Sequence, residues 1–280
     1  MTDHRIRAVG LRGFEVYLRE NEKSGATLEK YMRDIRRFAV FVRGGAVDKA
    51  AVMEYKAELA KTYALTSANS MLAALNAFFR YAGWFDCCVK QFKIQREAFC
   101  AEEKELTRAE YAALVRAAEA KNNERLSLLI QTVCGTGIRV SELCYITAEA
   151  VKRGEATVSC KGKTRRIFIV AALRKKLLRY AREQGITGGM IFVTKSGRPM
   201  NRTNIWAEMK RLCGSAGVSP KKVFPHNLRH LFARTFYGME KDIVKLADIL
   251  GHSNVNTTRI YTVTSGSEHR RKLEKMKLIL

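Results

Sequence analysis

The chain has 280 residues and 47% of them are hydrophobic, which suffices for two domains with packed cores. It carries 51 Lys and Arg against 27 Asp and Glu, a formal net charge of +24. No apolar run approaches the ~18 residues of a membrane span, and no apolar signal segment opens the chain. These features argue against a membrane-spanning or secreted protein and predict a cytoplasmic one that associates with polyanions.

The positive charge is concentrated after residue 100. Residues 1–100 hold 17 basic and 11 acidic side chains, a net +6, and residues 101–280 hold 34 and 16, a net +18. Such a field attracts nucleic acid or an acidic membrane surface, and affinity for DNA should fall steeply with salt. Well-patterned helices and apolar segments argue against a mere basic tail, so nucleic acid is the favoured partner.

The seven cysteines predict neither a disulfide framework nor a zinc site. Their number is odd, and no Cys-x-x-Cys pair occurs. They are expected to be small buried side chains of a protein in a reducing compartment.

Residues 1–95 show the apolar spacing of helices and no strand pattern. Glycine-containing breaks at 24–27 and 44–45 separate the segments, and Gly83 ends the last one. The predicted helices cover residues 8–23, 28–43, 47–60 and 66–82. The pattern indicates a compact helical domain over 1–95, followed by a charged and poorly periodic linker over 96–105.

The rest of the chain, residues 106–280, mixes helical and β-rich patterns. Thr107, with a glutamate three residues later, is a capping box that begins a helix. Two β-rich stretches, 156–160 and 166–170, flank the basic turn 161–165, which is a hairpin signal. Helices are also predicted at 123–134, after Arg139, and at 201–216, 226–238, 241–249, 254–262 and 268–280, with a short strand at 191–193. The predicted fold class is mostly α with a small β-hairpin.

Two arginines from separate segments could hold a phosphate. A guanidinium is planar, always charged and donates paired hydrogen bonds to phosphate oxygens. Arg139 follows the flexible Gly135-Thr136-Gly137. Arg229 lies three residues after His226, so both project from one helical face. Both arginines could instead be surface charges, but Arg229 lies in an apolar setting, where an arginine needs a partner or a ligand.

Tyr261 is a candidate nucleophile toward that phosphate. It follows His252 by nine residues, about half a turn out of phase on one straight helix, so the two would face apart. Gly251 is a natural C-cap that ends the preceding helix and frees His252 to face the same phosphate. A phenol of pKa about 10 is a weak nucleophile, and nearby cations favour its phenolate form. An isolated Ile-Tyr pair is nevertheless more often part of a core.

The hairpin turn offers the proton that a departing sugar oxygen needs. Lys161 at its tip is a plausible acid, whereas Lys163, Arg165 and Arg166 are expected to contact DNA phosphates. The alternative is a solvated basic turn without chemistry. Further DNA contacts are predicted at Arg202, Lys210 and Arg211.

A metal site is the competing explanation for the histidines. His226 and His230 stand four residues apart on a helix, a spacing that could chelate zinc. No glutamate follows as in His-Glu-x-x-His, and no carboxylate cluster suits magnesium. The sequence therefore favours chemistry without a metal or other cofactor.

Four segments in this order resemble the motifs of the tyrosine recombinase (phage integrase) family, particularly its Xer-like members. Gly-Ile-Arg-Val-Ser-Glu-Leu at 137–143 resembles the first arginine box, and Cys-Lys-Gly-Lys-Thr-Arg-Arg at 160–166 resembles the β-hairpin lysine box. His-Asn-Leu-Arg-His at 226–230 resembles the His-x-x-Arg box. Leu-Gly-His-Ser and Thr-Arg-Ile-Tyr, within 250–261, resemble the closing histidine and nucleophile. The helical first part is similar to the family's core-binding domain.

The resemblance implies a reaction and a role for each residue. Tyr261 attacks the scissile phosphate, forms a 3′-phosphotyrosyl link and frees a 5′-hydroxyl. Arg139 and Arg229 hold the phosphate and stabilise charge in the transition state. Because the bond energy stays in the phosphotyrosine, neither ATP nor a metal is required.

Three further groups complete the implied set. Lys161, with Lys163 as the alternative, protonates the leaving 5′-oxygen. His226 acts as an acid or base, and His252 donates a hydrogen bond to the phosphate. All six positions of the family pattern carry the expected residue, which is typical of an active enzyme.

The resemblance also implies an assembly. The family fold is a two-domain, C-shaped clamp on double-stranded DNA, with a monomer in the free state and a homotetramer in the synaptic complex. The tail at 266–280 resembles the segment that such proteins dock onto a neighbouring subunit. Accessory DNA-binding proteins are candidate partners, and no membrane is expected to be one.

The implied function is site-specific recombination in a bacterial cytoplasm, with the protein on the nucleoid when it is bound to DNA. One alternative is a type IB topoisomerase, which would use the same residues to relax DNA as a monomer. The short chain and the Xer-like motifs disfavour it. A non-catalytic DNA-binding protein would explain the charge but not the filled catalytic set.

Overall fold

The computed structural model describes residues 4–94, 105–160, 163–194, 196–261, 270 and 274–276, with Cys160 and Lys163 described by their backbone only. Within these residues the protein is mostly helical with one two-stranded antiparallel sheet, which confirms the predicted fold class. Its internal contacts divide the chain into two units, Met1–Arg96 and Glu97–Leu280. None of the described helices combines the length and the apolar character needed to cross a bilayer. The linker predicted at 96–105 lies outside the described residues, except for Glu105.

Four helices build the first unit, and each overlaps one predicted segment. The second helix begins three residues earlier than predicted because Ser24, rather than Thr27, is its N-cap and accepts a hydrogen bond from the Thr27 amide. A 3-10 turn, Phe85–Cys87, follows the last helix. The helices are α1 (Ala8–Glu20), α2 (Gly25–Phe41), α3 (Lys49–Thr62) and α4 (Leu65–Tyr81).

Aromatic rings fill the core of the first unit. Phe14 meets Phe78 edge to face at 5.4 Å between ring centroids, and Phe38 meets Phe79 in the same way at 5.9 Å. Trp84 closes the core against Phe78 at 5.6 Å. The four phenylalanines are at most 2% exposed. Each buried ring contributes roughly 1.5–3 kcal/mol to folding, so this small unit has a core of its own.

The second unit is built around α6, which is apolar on several sides. Leu129, Ile130 and Val133 are fully buried there, and the helix packs against α5, α8, α9 and α10. The elements of this unit are α5 (Arg108–Ala120), α6 (Glu124–Thr136), α7 (Ala148–Arg153), β1 (Glu155–Cys160), β2 (Lys163–Phe168), α8 (Ala171–Glu183), α9 (Arg202–Ala216), α10 (Pro225–Glu240) and α11 (Ile243–Leu250), with 3-10 turns at Val140–Tyr145, Val255–Thr257 and Arg259–Tyr261.

Several predicted elements of this unit are wrong in type or extent. The helix predicted after Arg139 is present as the 3-10 helix Val140–Tyr145, whereas the helix predicted at 254–262 is two short 3-10 turns as far as Tyr261. The strand predicted at 191–193 makes only an isolated bridge between Val193 and Pro199. Two helices, α7 and α8, were not predicted. The spacing Leu173, Leu177, Tyr180, Ala181 is helical and buried, so the signal for α8 was present.

The strand pairing of the hairpin extends further than the sequence predicted. Cys160 pairs with Lys163, so β2 begins three residues earlier than expected. Lys161 and Gly162, which stand between the two strands in sequence, lie outside the described residues. In β2, alternate side chains face opposite sides. The side chains of Arg165 and Ile167 lie on the inward face of β2, where Ile167 is buried, whereas the side chain of Arg166 faces solvent.

Candidate active site

A glycine at the end of α6 sets the geometry of the site. Gly137 is the C-cap of α6 with φ of 66°, a left-handed conformation that suits glycine. A Cβ at this position would lie 2.5 Å from the Phe232 ring, so α6 and α10 can approach only because it is absent. The chain then turns so that Arg139 begins the 3-10 turn beside the buried end of α6.

Arg229 on α10 is the buried centre of the site, with only 2% of its surface exposed. Its guanidinium donates hydrogen bonds to the carbonyl of Gly137 and to the carbonyl of Leu250 at 2.7 Å. These carbonyls end α6 and α11, where the helix dipoles place partial negative charge that suits a buried cation. Burial, reinforced by the charge of Arg139 and opposed by the Tyr261 hydroxyl, lowers the pKa of Arg229 to about 10. Arg229 therefore stays cationic at neutral pH.

His252 follows the C-cap of α11 and binds Arg229 directly. Its Nε2 lies 3.1 Å from Nη2 of Arg229, and its Nδ1 lies 2.9 Å from Oγ1 of the buried Thr258. A guanidinium can only donate, so Nε2 must accept and the ring proton must sit on Nδ1. Burial, followed by the charges of Arg229 and Arg139, lowers the pKa of His252 to about 4. The ring is therefore neutral with one defined tautomer.

Gly251 makes this arrangement possible. It is the C-cap of α11 with φ of 66°, and a Cβ there would lie 2.8 Å from Cδ of Arg165. The close approach brings the end of α11 against β2, so that His252 and the hairpin meet at one site. The helix break predicted at this residue is confirmed.

A buried carboxylate joins Arg139 to the hairpin. Glu142, 3% exposed, accepts from the backbone amide and Nη1 of Arg139, both at 2.9 Å. It also accepts two hydrogen bonds from Arg165, at 3.1 and 2.6 Å. Burial alone would raise the pKa of Glu142, but the hydrogen bonds from Arg165 and Arg139 hold it below its usual value. Glu142 is therefore ionised and fixes the direction of both guanidinium groups.

Three aromatic rings form a row that ends at Tyr261. His226 and His230, one turn apart on α10, meet edge to face at 4.5 Å, and His230 meets Tyr261 in the same way at 4.8 Å. The His252 ring lies 6.1 Å from Tyr261 on another side. Tyr261 is 3% exposed. Burial is also the main cause that lowers the pKa of the two histidines on α10, and it lowers the pKa of His230 to about 4.

The fold thus gathers five of the six predicted catalytic residues around one point. After burial, the charge of Arg229 is the largest cause that lowers the pKa of His226 and that of His252. The charge of Arg139 in turn lowers the pKa of Arg229, and Tyr261 contacts Arg229. The sixth, Lys161, lies outside the described residues. None of the described histidines here converges with two other ligand side chains in the way that a metal centre requires.

The residues predicted to contact DNA fall into different surroundings. Arg165 is bound to Glu142 and its side chain is only 11% exposed, whereas the side chain of Arg166 is 68% exposed. Arg202 lies close enough to His226 to lower its pKa further. Lys210 lies over the Trp206 ring at 5.3 Å. The side chain of Arg211 is exposed, and only the backbone of Lys163 is described.

Sequence reasoning missed three residues of the site. Glu142 stands three residues after Arg139 in the arginine motif, where a capping interaction was readable. His230 was recognised from its spacing to His226 only as a possible metal ligand, and its contact with Tyr261 was not foreseen. Thr258 gave no signal, because its hydroxyl meets a histidine six residues away across a break between elements. Together the fold and the site define a mostly helical protein in which two arginines, three histidines and a buried tyrosine are gathered in an arrangement suited to an anion such as a phosphate.

Comparison with known proteins assigns the family. The phage integrase family model matches residues 104–267, and the model of the phage integrase N-terminal SAM-like domain matches residues 11–84. Tyrosine recombinase XerA of Thermococcus kodakarensis is 31% identical over 95% of this chain and 94% of its own length. Tyrosine recombinase XerD of Xanthomonas axonopodis pv. citri is 28% identical over 88% and 89% of the two chains. The chain belongs to the phage integrase family of tyrosine recombinases, enzymes that cleave and rejoin DNA strands.

Solved structures share the fold. The crystal structure of XerA recombinase has a TM-score of 0.55 at 24% identity and covers 97% of this chain and 99% of its own. A lambda integrase tetramer bound to a Holliday junction has a TM-score of 0.75 at 19% identity, covering 93% and 78% of the two chains. At these identities the likeness is one of fold.

Glu142→Gln is expected to destabilise the second unit by about 2 kcal/mol at pH 7, because two arginines lose their charged acceptor. The folded-state pKa of Glu142 lies below its unfolded value of about 4.5, so its stabilisation is present above that pH and is lost as the pH falls. The difference between wild type and variant should therefore shrink below about pH 4.5. Denaturant unfolding across this pH range measures it.

The control for this prediction is Glu183→Gln, whose exposed carboxylate lies 3.6 Å from Arg179. Its effect should stay below about 0.5 kcal/mol at every pH. Equal effects of the two substitutions would contradict the role assigned to Glu142.

The lowered pKa of His230 predicts that the free energy of unfolding also depends on pH in a range above that of Glu142. Its pKa is about 4 in the folded state against 6.5 for the free side chain, so the unfolded chain takes up a proton between these values. Stability should be complete above about pH 6.5 and fall as the pH drops toward 4. His230→Phe should reduce the slope of unfolding free energy against pH by about one proton. Identical slopes in the two proteins would show that His230 is protonated equally in both states.

Proposed function

We propose that this protein is a site-specific DNA recombinase that acts through a 3′-phosphotyrosyl intermediate. The observation that carries the proposal is the buried Arg229, which is held by two helix-end carbonyls and contacts His252 and Tyr261. A cation fixed in this way has donors left for an anion, and the tyrosine that would attack that anion lies beside it. The tyrosine recombinases XerA and XerD, related along most of the chain, support the same activity.

The placement of these groups supports the proposed reaction. Arg139 and Arg229 bind the non-bridging oxygens of the scissile phosphate, where negative charge grows in the transition state. The phosphate is a better acceptor for Arg229 than Nε2 of His252, so binding frees that nitrogen. Nε2 then carries a proton toward the phosphate once the ring is protonated or changes tautomer.

Bond making and breaking balance without a cofactor. The Oη–P bond of Tyr261 forms as the bond from phosphorus to the 5′-oxygen breaks, and Lys161 gives the leaving oxygen its proton. His226 takes the phenolic proton, which its lowered pKa allows because the ring is neutral at pH 7. The freed 5′-hydroxyl of a partner strand reverses the steps and completes strand exchange.

The proposed partner is double-stranded DNA bound by a homotetramer. The solved lambda integrase tetramer is bound to a Holliday junction, and XerH is bound to its difH substrate. The free protein is proposed to be a monomer in the cytoplasm, on the nucleoid when bound, with accessory proteins as candidate partners. The exposed Arg166 and the region of Arg202, close to His226, extend the positive surface that DNA would meet.

A covalent-adduct assay tests the proposed function. Duplexes that the protein enriches from a randomised pool are nicked near the bound site, so that a cleaved fragment diffuses away and traps the intermediate. The expected result is a protein–DNA adduct on a denaturing gel, formed equally with and without a chelator. Failure to form it, or its loss when metal is removed from the folded protein, would overturn the proposal. Relaxation of supercoiled DNA by a monomer without joining of two sites would favour the topoisomerase alternative.

Removal of residues 267–280 is expected to weaken synapsis more than DNA binding. The truncation removes most of the tail that the sequence assigns to docking on a neighbour, whereas the active-site residues are retained. Gel-shift titrations on DNA with one and two sites measure both properties. Binding of the two-site DNA with unchanged cooperativity would count against this role for the tail.

A further inference from the structure

A second group of chemically active side chains lies in the first unit, far along the chain from the catalytic motifs. His4 precedes α1, and Asp86 and Cys87 belong to the 3-10 turn after α4. The carbonyl of His4 accepts from the amide of Val47 at 2.7 Å, and its ring stacks on Trp84 at 4.7 Å. The fold therefore holds His4 beside residues that follow it by more than 80 positions.

The three side chains present one nitrogen, one oxygen and one sulfur to a common point. Nε2 of His4 lies 3.3 Å from Oδ1 of Asp86, and Sγ of Cys87 lies 3.8 Å from Oδ2 of the same carboxylate. All three ligand atoms lie within 4.8 Å of one another. Around a tetrahedral zinc ion such atoms are roughly 3.3–3.6 Å apart, given bonds of ~2.0–2.3 Å. Small side-chain movements would therefore complete the geometry.

The electrostatic surroundings favour a cation at this point. The Cys87 thiol is fully buried, and its pKa is raised to about 11 by burial first and then by Asp86, with Asp48 adding to the effect. A buried thiol beside the Asp86 carboxylate holds its proton in the absence of a metal. A divalent ion would replace that proton and reverse the effect, because the thiolate becomes a ligand.

We propose that His4, Asp86 and Cys87 bind a divalent ion of the zinc type. The mixed nitrogen, oxygen and sulfur donors suit zinc, or cobalt as its probe, better than magnesium or calcium. Water would fill the fourth position. The ion would fasten the segment before α1 to the turn after α4, so its role is to stabilise the first unit. This site is independent of the recombination chemistry.

Cobalt titration of the full-length, metal-free protein tests the site. The expected result is binding of about one ion per chain with a thiolate-to-cobalt charge-transfer band, displaced by zinc. Zinc at a hundredfold excess over its Kd should raise the melting temperature of the first unit by roughly 10 °C. Cys87→Ser should remove the band and the shift.

Cys88→Ser is the matched control, because this neighbouring sulfur lies near the carbonyls of Asn76 and Trp84 instead. It should bind cobalt as the wild type does. His4→Ala provides a second variant and should weaken binding at least tenfold. The proposal is overturned if the wild type shows no charge-transfer band, or if neither Cys87→Ser nor His4→Ala changes binding. In that case the His4 ring is held by its contacts with Trp84 and Asp86 without a metal.

Discussion

Tyr261→Phe is expected to abolish the covalent protein–DNA adduct, a loss of at least ~10⁴-fold in cleavage, and to leave DNA binding within about twofold. The substitution removes only the hydroxyl that would form the phosphotyrosyl bond. The ring keeps its edge contact with His230 and its packing against Leu246 and Leu250. Loss of the contact with Arg229 should cost about 1 kcal/mol of unfolding free energy. Denaturing gels, gel shifts and thermal unfolding of the same preparation measure the three effects.

Tyr237→Phe is the control for this substitution. Tyr237, on α10, packs against the same small apolar cluster of Ala233, Leu246, Leu250 and Tyr261, and it is only partly buried. Its variant should form adduct at the rate of the wild type. An adduct that persists in Tyr261→Phe would move the nucleophile to another residue.

Arg229→Met is expected to affect both folding and chemistry. The carbonyls of Gly137 and Leu250 and Nε2 of His252 would lose their buried donor, which should lower the unfolding free energy by about 3 kcal/mol. Cleavage should fall by ~10²–10³-fold or more, because a donor to the transition state is also lost. Arg229→Lys should recover part of the stability but not the paired geometry.

Arg139→Met separates the two effects. The Arg139 side chain is 35% exposed, and its partner Glu142 keeps both hydrogen bonds from Arg165. Cleavage should fall as in Arg229→Met, whereas the unfolding free energy should change by about 1 kcal/mol. Equal destabilisation by the two variants would contradict the structural role assigned to Arg229.

The sequence predictions were most accurate where the interactions are local in sequence, and less accurate where they join distant parts of the chain. The helices of the first unit and the capping box at Thr107 depend on local spacing and were predicted with small errors at their ends. The helix predicted after Arg139 is a 3-10 helix, and Glu142 caps it by accepting hydrogen bonds from the amide and the side chain of Arg139. The sequence pattern placed this helix but did not distinguish its type. The hairpin register likewise depends on which face of β2 packs inward, which placed Arg165 on Glu142 and Arg166 in solvent.

The sequence by itself determined which chemical groups are available: the positive charge, the order of the four motifs, and the glycine, Gly251, that ends a helix just before His252. Only the tertiary structure decided how those groups are held. The burial of Arg229 on two helix ends and the tautomer of His252 join parts of the chain distant in sequence. The same is true of the His4, Asp86 and Cys87 group, which the cysteine spacing had given no reason to expect. Such contacts arise from packing between elements, and a sequence pattern records only the spacing within one element.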